Sequence, residues 1–229
     1  ISAERSKFEG AGNPDYYNPD NSLAYLFFAR NGTFDMKNCT LADSRGGMLL
    51  ANVKTVISDS DFNDLTDPVV AAAGTLNVFR SDFKGYRYAL NARSCLVDVR
   101  ECVFSGSYTA ISTEGCRLEA DSNLLQGARI DISGSEKYSR SNDYYYGNPS
   151  PLDRLPPVPP LAGAEIFSRI TKNVFDRGAT LEVTMSPATI EGNLFNSTYY
   201  VAITSTGQVL DHSKNNFTEF YGYDYDIIY

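Results

Sequence analysis

Arginine and tyrosine side chains in this 229-residue chain could together bind an acidic sugar. A guanidinium group holds a carboxylate through two parallel N–H donors, and a tyrosine ring stacks on a sugar face while its hydroxyl forms hydrogen bonds. Tyrosines cluster between residues 134 and 162, and arginines lie in the segments on either side. The sequence therefore predicts a site for an acidic polysaccharide, with the candidate substrate-binding residues Tyr144, Tyr145, Tyr146, Arg100, Arg117, Arg129 and Arg169.

No familiar catalytic motif accompanies these side chains. The chain lacks a G-x-S-x-G turn, an H-E-x-x-H helix and a glycine-rich phosphate loop, which disfavours the commonest hydrolase, metalloprotease and nucleotide-binding classes. Four cysteines without a C-x-x-C pair and a single histidine argue against zinc. We therefore assign no catalytic residue and expect no cofactor.

One group of oxygen-bearing side chains comes closest to a calcium site. It consists of alternating residues on one face of a predicted strand and a following aspartate, and calcium prefers several oxygen ligands of this kind. Charged residues 21 positions later explain the group by charge compensation, without a metal. The members are Asp59, Asp61, Asn63 and Asp64, with Arg80, Asp82 and Lys84 stacked above the first three. We expect no metal here.

Charge and hydropathy argue against several further classes of function and fold. The formal net charge of −8 repels a phosphate backbone, which argues against a nucleic-acid partner. No apolar run approaches the roughly 18 residues of a membrane-spanning helix, and the first residues lack a signal-peptide pattern. With 17 Gly and 10 Pro supplying turns, a helical bundle is also disfavoured. We expect neither nucleic-acid binding nor membrane insertion.

The candidate residues belong to a repeat of about 21 residues. Short segments end in an apolar anchor before a turn, and the anchors are spaced by 21, 21, 21, 21, 50, 20 and 22 residues, the 50 being one repeat plus an insertion of 29. The anchors are Leu41, Phe62, Phe83, Phe104, Leu125, Phe175, Phe195 and Phe217. A second apolar stripe lies fourteen residues before the anchors, except that Ile132 is placed one coil after Ile111, just before the insertion; it reads Phe27, Met48, Val69, Leu90, Ile111, Ile132, Leu181 and Ile203. A third stripe lies five residues before the anchors.

Three inward stripes per repeat predict three short strands per coil. The fold is therefore all-β: a right-handed parallel β-helix of about eight 21-residue coils with one long loop insertion, since propeller blades need about 40 residues. We divide the chain into a cap or linker segment at 1–22, the β-helix at 23–219 with the insertion at 134–162, and a tail at 220–229.

Two columns of the repeat predict structural roles. Polar residues two positions before the anchors should form an internal hydrogen-bonded ladder at a bend; its later members are Asn123, Asn173, Asn193 and Asn215. His212 replaces an apolar residue of the third stripe, which favours a hydrogen-bonded core or end-coil role over that of a base.

The cysteines also fall on repeat positions. Cys95 and Cys116 lie 21 residues apart and should stack, near enough for a disulfide by distance but not by dihedral angle, so we expect two thiols. Cys39 and Cys102 share another column three coils apart and cannot bridge.

The outward positions differ along the helix. Phe28, Leu49 and Val70 form an apolar stripe, covered either by residues 1–22 or by a partner domain. In later coils Asp98, Glu119 and Arg169 share one column, which is either a solvated ladder of compensating charges or part of a groove for an acidic sugar.

Segments with Asn-x-Phe before turns, such as Asn173-Val-Phe175 and Asn193-Leu-Phe195, resemble the pectate-lyase-like superfamily over residues 23–219. The closer resemblance is to chondroitinase B and related alginate lyases, whose accessory C-terminal β-helix carries a comparable loop at the place of residues 134–162 and strands like residues 164–175. The catalytic β-helix of those enzymes has a lysine on one coil and an Arg-His-Gly segment on the next. The nearest segment here, residues 180–184, has neither Arg nor His, so the resemblance implies no lyase activity.

Three functions fit these observations. The first is a non-catalytic, polysaccharide-associated module of a secreted or surface protein that binds an acidic glycan weakly. The alternatives are a polysaccharide lyase acting on uronate-containing glycan, and a structural spike or adhesin β-helix. An adjoining β-helix domain or protein partner would contact the face of Phe28, Leu49 and Val70. The fold alone does not select among them.

Overall fold

A computed structural model describes residues 1–9, 25–106, 108–134, 152, 155, 161, 166–196 and 202–218. Its nineteen strands pair in parallel into one sheet that winds as a solenoid of about eight turns, which confirms the predicted parallel β-helix. None of the described residues form a helix long and apolar enough to cross a membrane. The strands are β1 Ser2–Glu4, β2 Lys7–Glu9, β3 Tyr25–Lys37, β4 Thr40–Ser58, β5 Asp61–Phe79, β6 Asp82–Lys84, β7 Tyr88–Arg100, β8 Val103–Ser105, β9 Thr109–Glu114, β10 Arg117–Asp121, β11 Leu124–Gln126, β12 Arg129–Ser133, β13 Ser168–Thr171, β14 Val174–Asp176, β15 Thr180–Thr184, β16 Ala188–Glu191, β17 Leu194–Asn196, β18 Ile203–Thr206 and β19 Asn216–Thr218.

Three ladders of paired strands run along the solenoid. The first ladder holds the predicted anchors, so that Phe83 pairs with Phe62 on one side and with Phe104 on the other. The second ladder contains the pair Val69 and Leu90, and the third contains the pair Val78 and Val99. Strands β4 and β5 pass through all three ladders without a break. The three inward stripes expected from the sequence are thus present.

Phenylalanine rings of neighbouring coils stack inside the first ladder. The ring centroids of Phe62 and Phe83 lie 4.5 Å apart with an interplanar angle of 5°, and those of Phe83 and Phe104 lie 5.0 Å apart at 12°. Phe175 and Phe195 form a second stack at 4.4 Å, and all five rings are fully buried. The rings stack because in-register strands repeat at about 4.8 Å. Each offset pair contributes about 1 kcal/mol beyond the area that it buries.

Asparagine side chains form a continuous ladder inside one bend. Asn173 Nδ2 donates to Asn193 Oδ1 at 3.0 Å and to the backbone oxygen of Ala120 at 2.9 Å. Asn173 Oδ1 accepts from Asn123, both from Nδ2 at 2.9 Å and from the backbone N–H at 3.0 Å. The pattern repeats from Asn193 to Asn215. The predicted internal ladder is confirmed, and it satisfies backbone groups that have no access to water.

The corner between the second and third ladders uses a left-handed residue in successive coils. The backbone φ is 54° at Asn52, 51° at Ala73, 53° at Ser94 and 57° at Gly115. Glycine adopts this conformation without strain and asparagine with little, whereas other residues carry a cost of about 1–2 kcal/mol. Asn52 Nδ2 also donates to Asn31 Oδ1 at 3.0 Å on the outside of this corner. Ala73 therefore carries strain that an asparagine at the same place would reduce.

Ile132 does not occupy the column predicted for it. The column passes from Ile111 to Ile130, with a register shift just before Ile130, while Ile132 pairs with Thr113. The corner ahead of β12 is one residue shorter than the corner ahead of β9, and the register shift leaves Ala110 of β9 without a partner in β12, so a constant spacing of 21 fails in this coil. Ile130 and Ile132 are both fully buried, which keeps the inward face apolar despite the shift.

Residues 1–9 add strands to the N-terminal end of the solenoid. Ser2–Glu4 pairs with Asp35–Lys37 in the third ladder, and Lys7–Glu9 pairs with Thr40–Ala42 in the first. The sequence predicts a cap or linker ahead of the first coil for residues 1–22. In its described part, residues 1–9, this segment continues two of the ladders at the N-terminal end.

All four cysteines are buried free thiols. The backbone N–H of Cys95 donates to Cys116 Sγ at 3.2 Å, so the two residues stack as expected. The hydrogen bond with Cys116 and burial raise the pKa of Cys95 well above its ordinary value, and burial raises the pKa of Cys102 to about 12. Cys95 and Cys102 are therefore poor nucleophiles, because the thiolate is the reactive form.

Candidate functional site

The outer surface of the third ladder carries two parallel columns of polar side chains. One column runs through Asp98, Glu119, Arg169 and Thr189, and the other through Arg100, Asp121, Thr171 and Glu191. They face outward because side chains alternate along each strand, and the residues between the columns, such as Ala120 and Ile170, are fully buried. The solenoid thus arranges charged groups at a regular spacing of about 4.8 Å.

A shallow groove of about 440 Å³ lies between these columns. We call it the charged groove. Its volume falls within the range of roughly 300–1,000 Å³ that is usual for ligand sites, although it is open rather than enclosed. The two columns supply most of its lining, and Ala120 and Lys172 supply the rest. The lining residues from the columns are Arg100, Glu119, Asp121, Arg169, Thr171, Thr189 and Glu191.

Arg100 is held at one end of the groove by two carboxylates. Its Nε lies 2.6 Å from Asp98 Oδ1 and its Nη2 lies 3.2 Å from Glu119 Oε2. The hydrogen bond to Asp98 leads the interactions that raise the pKa of Arg100. Glu119 also accepts a hydrogen bond from Arg117 Nη2 at 2.6 Å. These contacts form a compensated network, in which the arginine forks already have carboxylate partners.

Asp121 is stabilised as a carboxylate in the middle of the groove. Burial pushes its pKa upward, but hydrogen bonds donated by Thr171 Oγ1 at 2.6 Å and Ser122 Oγ at 3.0 Å, with the charges of Lys172 and Arg100, outweigh burial and lower the pKa. A carboxylate whose pKa lies below its ordinary value is a poor general base near neutral pH. Asp121 therefore suits charge compensation better than proton abstraction.

Arg169 is the cation of the groove that has no carboxylate partner among the described residues. It is exposed, it stands between Glu119 and Thr189 in its column, and no described carboxylate lies within salt-bridge distance of it. Glu191, in the neighbouring column, is instead paired with Lys214 Nζ at 3.1 Å. A guanidinium group in this position can bind an external carboxylate without breaking an internal ion pair.

The structure brings together part of the candidate site predicted from the sequence. Arg100 and Arg169 line the charged groove, and Arg117 reaches it through Glu119. Arg129 lies in the second ladder instead, where its Nη1 is 3.1 Å from Glu182 Oε2. The remaining candidates, Tyr144, Tyr145 and Tyr146, lie outside the described residues.

Other groove residues were not singled out from the sequence. Thr171, Thr189 and Glu191 enter the columns after the insertion, at offsets of 50 and 70 residues from Asp121 and Glu119. A search that continues each outward column across the insertion, as the inward stripes allow, would have found them.

The apolar stripe on the second ladder is covered largely by the chain itself. Leu49 is 7% exposed and Val70 is fully buried, and both pack with Leu152 and Leu155 of the insertion. Phe28, at the end of the stripe, remains 62% exposed. The cover seen here comes from the insertion, not from the described residues of the segment 1–22.

The outer face of the second ladder also holds a buried ion pair. Arg93 Nε lies 3.2 Å from Glu114 Oε1, and the two side chains are only 13% and 4% exposed. Both residues occupy the column that continues from Ala72 of the apolar stripe. Removing only one partner of such a buried ion pair would leave an unpaired buried charge and strongly destabilise the fold.

The remaining polar candidates have structural partners. Arg80 holds Asp59 through Nε at 2.7 Å and Nη2 at 3.0 Å, and this hydrogen bonding lowers the pKa of Asp59. No group of three or more His, Cys, Asp or Glu within the described part of the chain is arranged to hold a metal ion. His212 is half-buried, with Nδ1 3.5 Å from the backbone oxygen of Leu210 and its ring near Phe217.

Comparison with known proteins identified no relative of this chain. No protein-family model matches the chain, and neither the curated proteins nor the solved structures give a significant match.

Proposed function

We propose that this chain is a non-catalytic β-helix module that binds an acidic polysaccharide weakly through the charged groove. The observation that carries the proposal is Arg169, an exposed guanidinium without a carboxylate partner among the described residues, in a groove whose other arginine is already paired. The side chain of Thr189, the next residue in the column, can add a hydrogen bond to a sugar hydroxyl.

The proposed affinity is low for physical reasons. The charged groove is open, so a bound sugar keeps much of its contact with water, and exposed ion pairs are weak. The chain carries a net charge of −8, which disfavours a polyanion away from Arg169. Binding should therefore fall as the salt concentration rises.

Binding without cleavage is proposed because elimination beside a uronate carboxylate needs more than a cation. A base must reach the proton at C5, and a fixed positive group must stabilise the enolate that develops. The described carboxylates beside Arg169 are engaged: Glu119 by two arginines and Asp121 by two hydroxyl groups. These contacts support a binding role over a lyase.

The class of ligand is part of the proposal. We propose, on the resemblance of its Asn-x-Phe segments, that the solenoid belongs with the pectate-lyase-like β-helices, and those proteins act on polysaccharides. The same reasoning places this module in a secreted or cell-surface protein.

Binding to soluble polysaccharides tests the proposal. A panel of uronate-containing and neutral polymers is titrated into the protein at low and high salt, with Arg169→Ala as the test variant. Arg30→Ala is the matched control, because Arg30 is also exposed but lies in the first coils, far from the groove.

We expect weak, salt-sensitive binding of uronate polymers alone. Arg169→Ala should weaken it about tenfold, as for loss of a charged hydrogen bond of about 1.5 kcal/mol or more, while Arg30→Ala should leave it unchanged. Equal affinity of Arg169→Ala and the wild type would contradict the proposed site. Steady release of unsaturated sugar ends would show a lyase.

A further inference from the structure

The carboxylates around Arg169 restrict the kind of acidic polymer that the charged groove can accept. Glu119 precedes Arg169 in the same column, and Asp121 and Glu191 flank the neighbouring column on both sides of Thr171. Adjacent coils are about 4.8 Å apart, so every one of these carboxylates lies within a Debye length of a ligand bound at Arg169.

The groove as a whole offers a polyanion no general attraction. Three cationic side chains line it, Arg100, Arg169 and Lys172, and three carboxylates oppose them, those of Glu119, Asp121 and Glu191. Arg100 is bound to two carboxylates, and Lys172 Nζ lies 3.9 Å from Asp121 Oδ1. One ligand carboxylate can therefore gain a partner at Arg169, while a second one nearby meets a carboxylate of the protein.

We infer, resting on the proposed function, that the groove selects a sparsely carboxylated polysaccharide, in which neutral sugars separate the uronates, over a densely charged polyuronate. The neutral sugars on either side of the bound uronate present hydroxyl groups, and the flanking carboxylates accept hydrogen bonds from hydroxyl groups. In a polyuronate the same positions carry like charge, which opposes binding at this range.

Graded esterification of one polymer separates charge density from sugar identity. A single polyuronate preparation is methyl-esterified to a series of extents, and its affinity for the protein is measured at low salt. The expected curve has a maximum: the fully esterified polymer does not bind, the polymer with few free carboxylates binds best, and the unesterified polymer binds at least fivefold more weakly than that maximum. Affinity that rises steadily with the number of free carboxylates would overturn the inference.

The flanking carboxylates provide the variant test. Asp121→Asn combined with Glu191→Gln keeps the shapes of both side chains and removes both charges. In this double variant the affinity should rise with carboxylate density and lose its maximum, because two of the three opposing carboxylates are gone and the third, Glu119, is held by Arg100 and Arg117. The matched control, Asp35→Asn combined with Glu4→Gln, makes the same charge change near the N-terminal end and should keep the maximum.

The two proposals fail in different ways. If no polymer of the series binds, or if Arg169→Ala binds as the wild type does, the proposed function is wrong. If binding depends on Arg169 but rises steadily with carboxylate density in the wild type, or if the double variant keeps the maximum, only the inferred selectivity is wrong.

Discussion

Replacing Asn173 by alanine should destabilise the solenoid by several kcal/mol. In the native structure the side-chain amide of Asn173 takes part in four hydrogen bonds, two with Asn123, one with Asn193 and one with the backbone oxygen of Ala120. Alanine removes all four. The asparagine is completely buried, so water cannot replace the lost partners.

The magnitude follows from the groups left behind. The backbone N–H of Asn123 and the backbone oxygen of Ala120 lose the partner that Asn173 supplies, and an unsatisfied buried group costs about 1–3 kcal/mol. The two together give a loss of about 4 kcal/mol. This is a large part of the roughly 5–15 kcal/mol that stabilises a typical domain.

Urea unfolding followed by circular dichroism measures the effect. We expect a lower midpoint for Asn173→Ala, and an unchanged transition for the matched control Asn216→Ala, whose side chain is exposed in β19. A loss of less than about 1 kcal/mol with an unchanged slope would refute the reasoning, because it would mean that the ladder adds almost nothing to stability.

Four further outcomes are expected. Leu90→Asp places an unpaired charge in the closed core and should abolish folding, and soluble protein with the wild-type melting curve would show that the assigned register is wrong. Denatured, unreduced protein should titrate as four free thiols, whereas a result of none would contradict the stacked thiol pair. Ala73→Asn should raise stability by up to about 1 kcal/mol in the same urea assay, whereas a lower midpoint would contradict the strain assigned to this corner. The pKa values of Asp59 and Asp121 are lowered in the folded state, so both carboxylates stabilise the fold above their unfolded pKa near 3.9. This stability is lost as the pH falls below about 4. Asp121→Asn should make the loss smaller when the melting temperature is measured against pH, and an unchanged acid profile would contradict the assignment.

The inward half of the structure could be predicted from spacing because each buried column repeats one chemical type. Phe62, Phe83 and Phe104 share a column at a constant interval of 21 residues. The asparagines of the ladder share another column at intervals of 50, 20 and 22 residues, where the 50 spans the insertion. The constant spacing fails at Ile132 because the corner before β12 lacks one residue and the register shift at Ala110 takes up another, so that Ile130, two positions earlier, takes the column without exposing the core.

The outward half depends on choices that spacing does not determine. The sequence predicts that Asp98, Glu119 and Arg169 share a column, but not that Arg100 of the next column takes both carboxylates. Within the part of the chain that the structure describes, this leaves Arg169 without a carboxylate partner. Side-chain length and rotamer decide that pairing. The cover of Leu49 and Val70 by Leu152 and Leu155 likewise depends on the path of an insertion that has no repeat to align.

That cover changes how the solenoid should assemble. Ladder contacts join residues about 21 positions apart, so a coil can add to the coil before it as the chain emerges, in the nearest-neighbour manner of repeat proteins. The buried cluster that holds Leu49 and Leu152 joins positions 103 residues apart, so it should form after the intervening coils have stacked. Non-local contacts of this kind form late and slowly. The insertion therefore couples early coils to late ones, and unfolding from the C-terminal end must release this cover as well as successive coils.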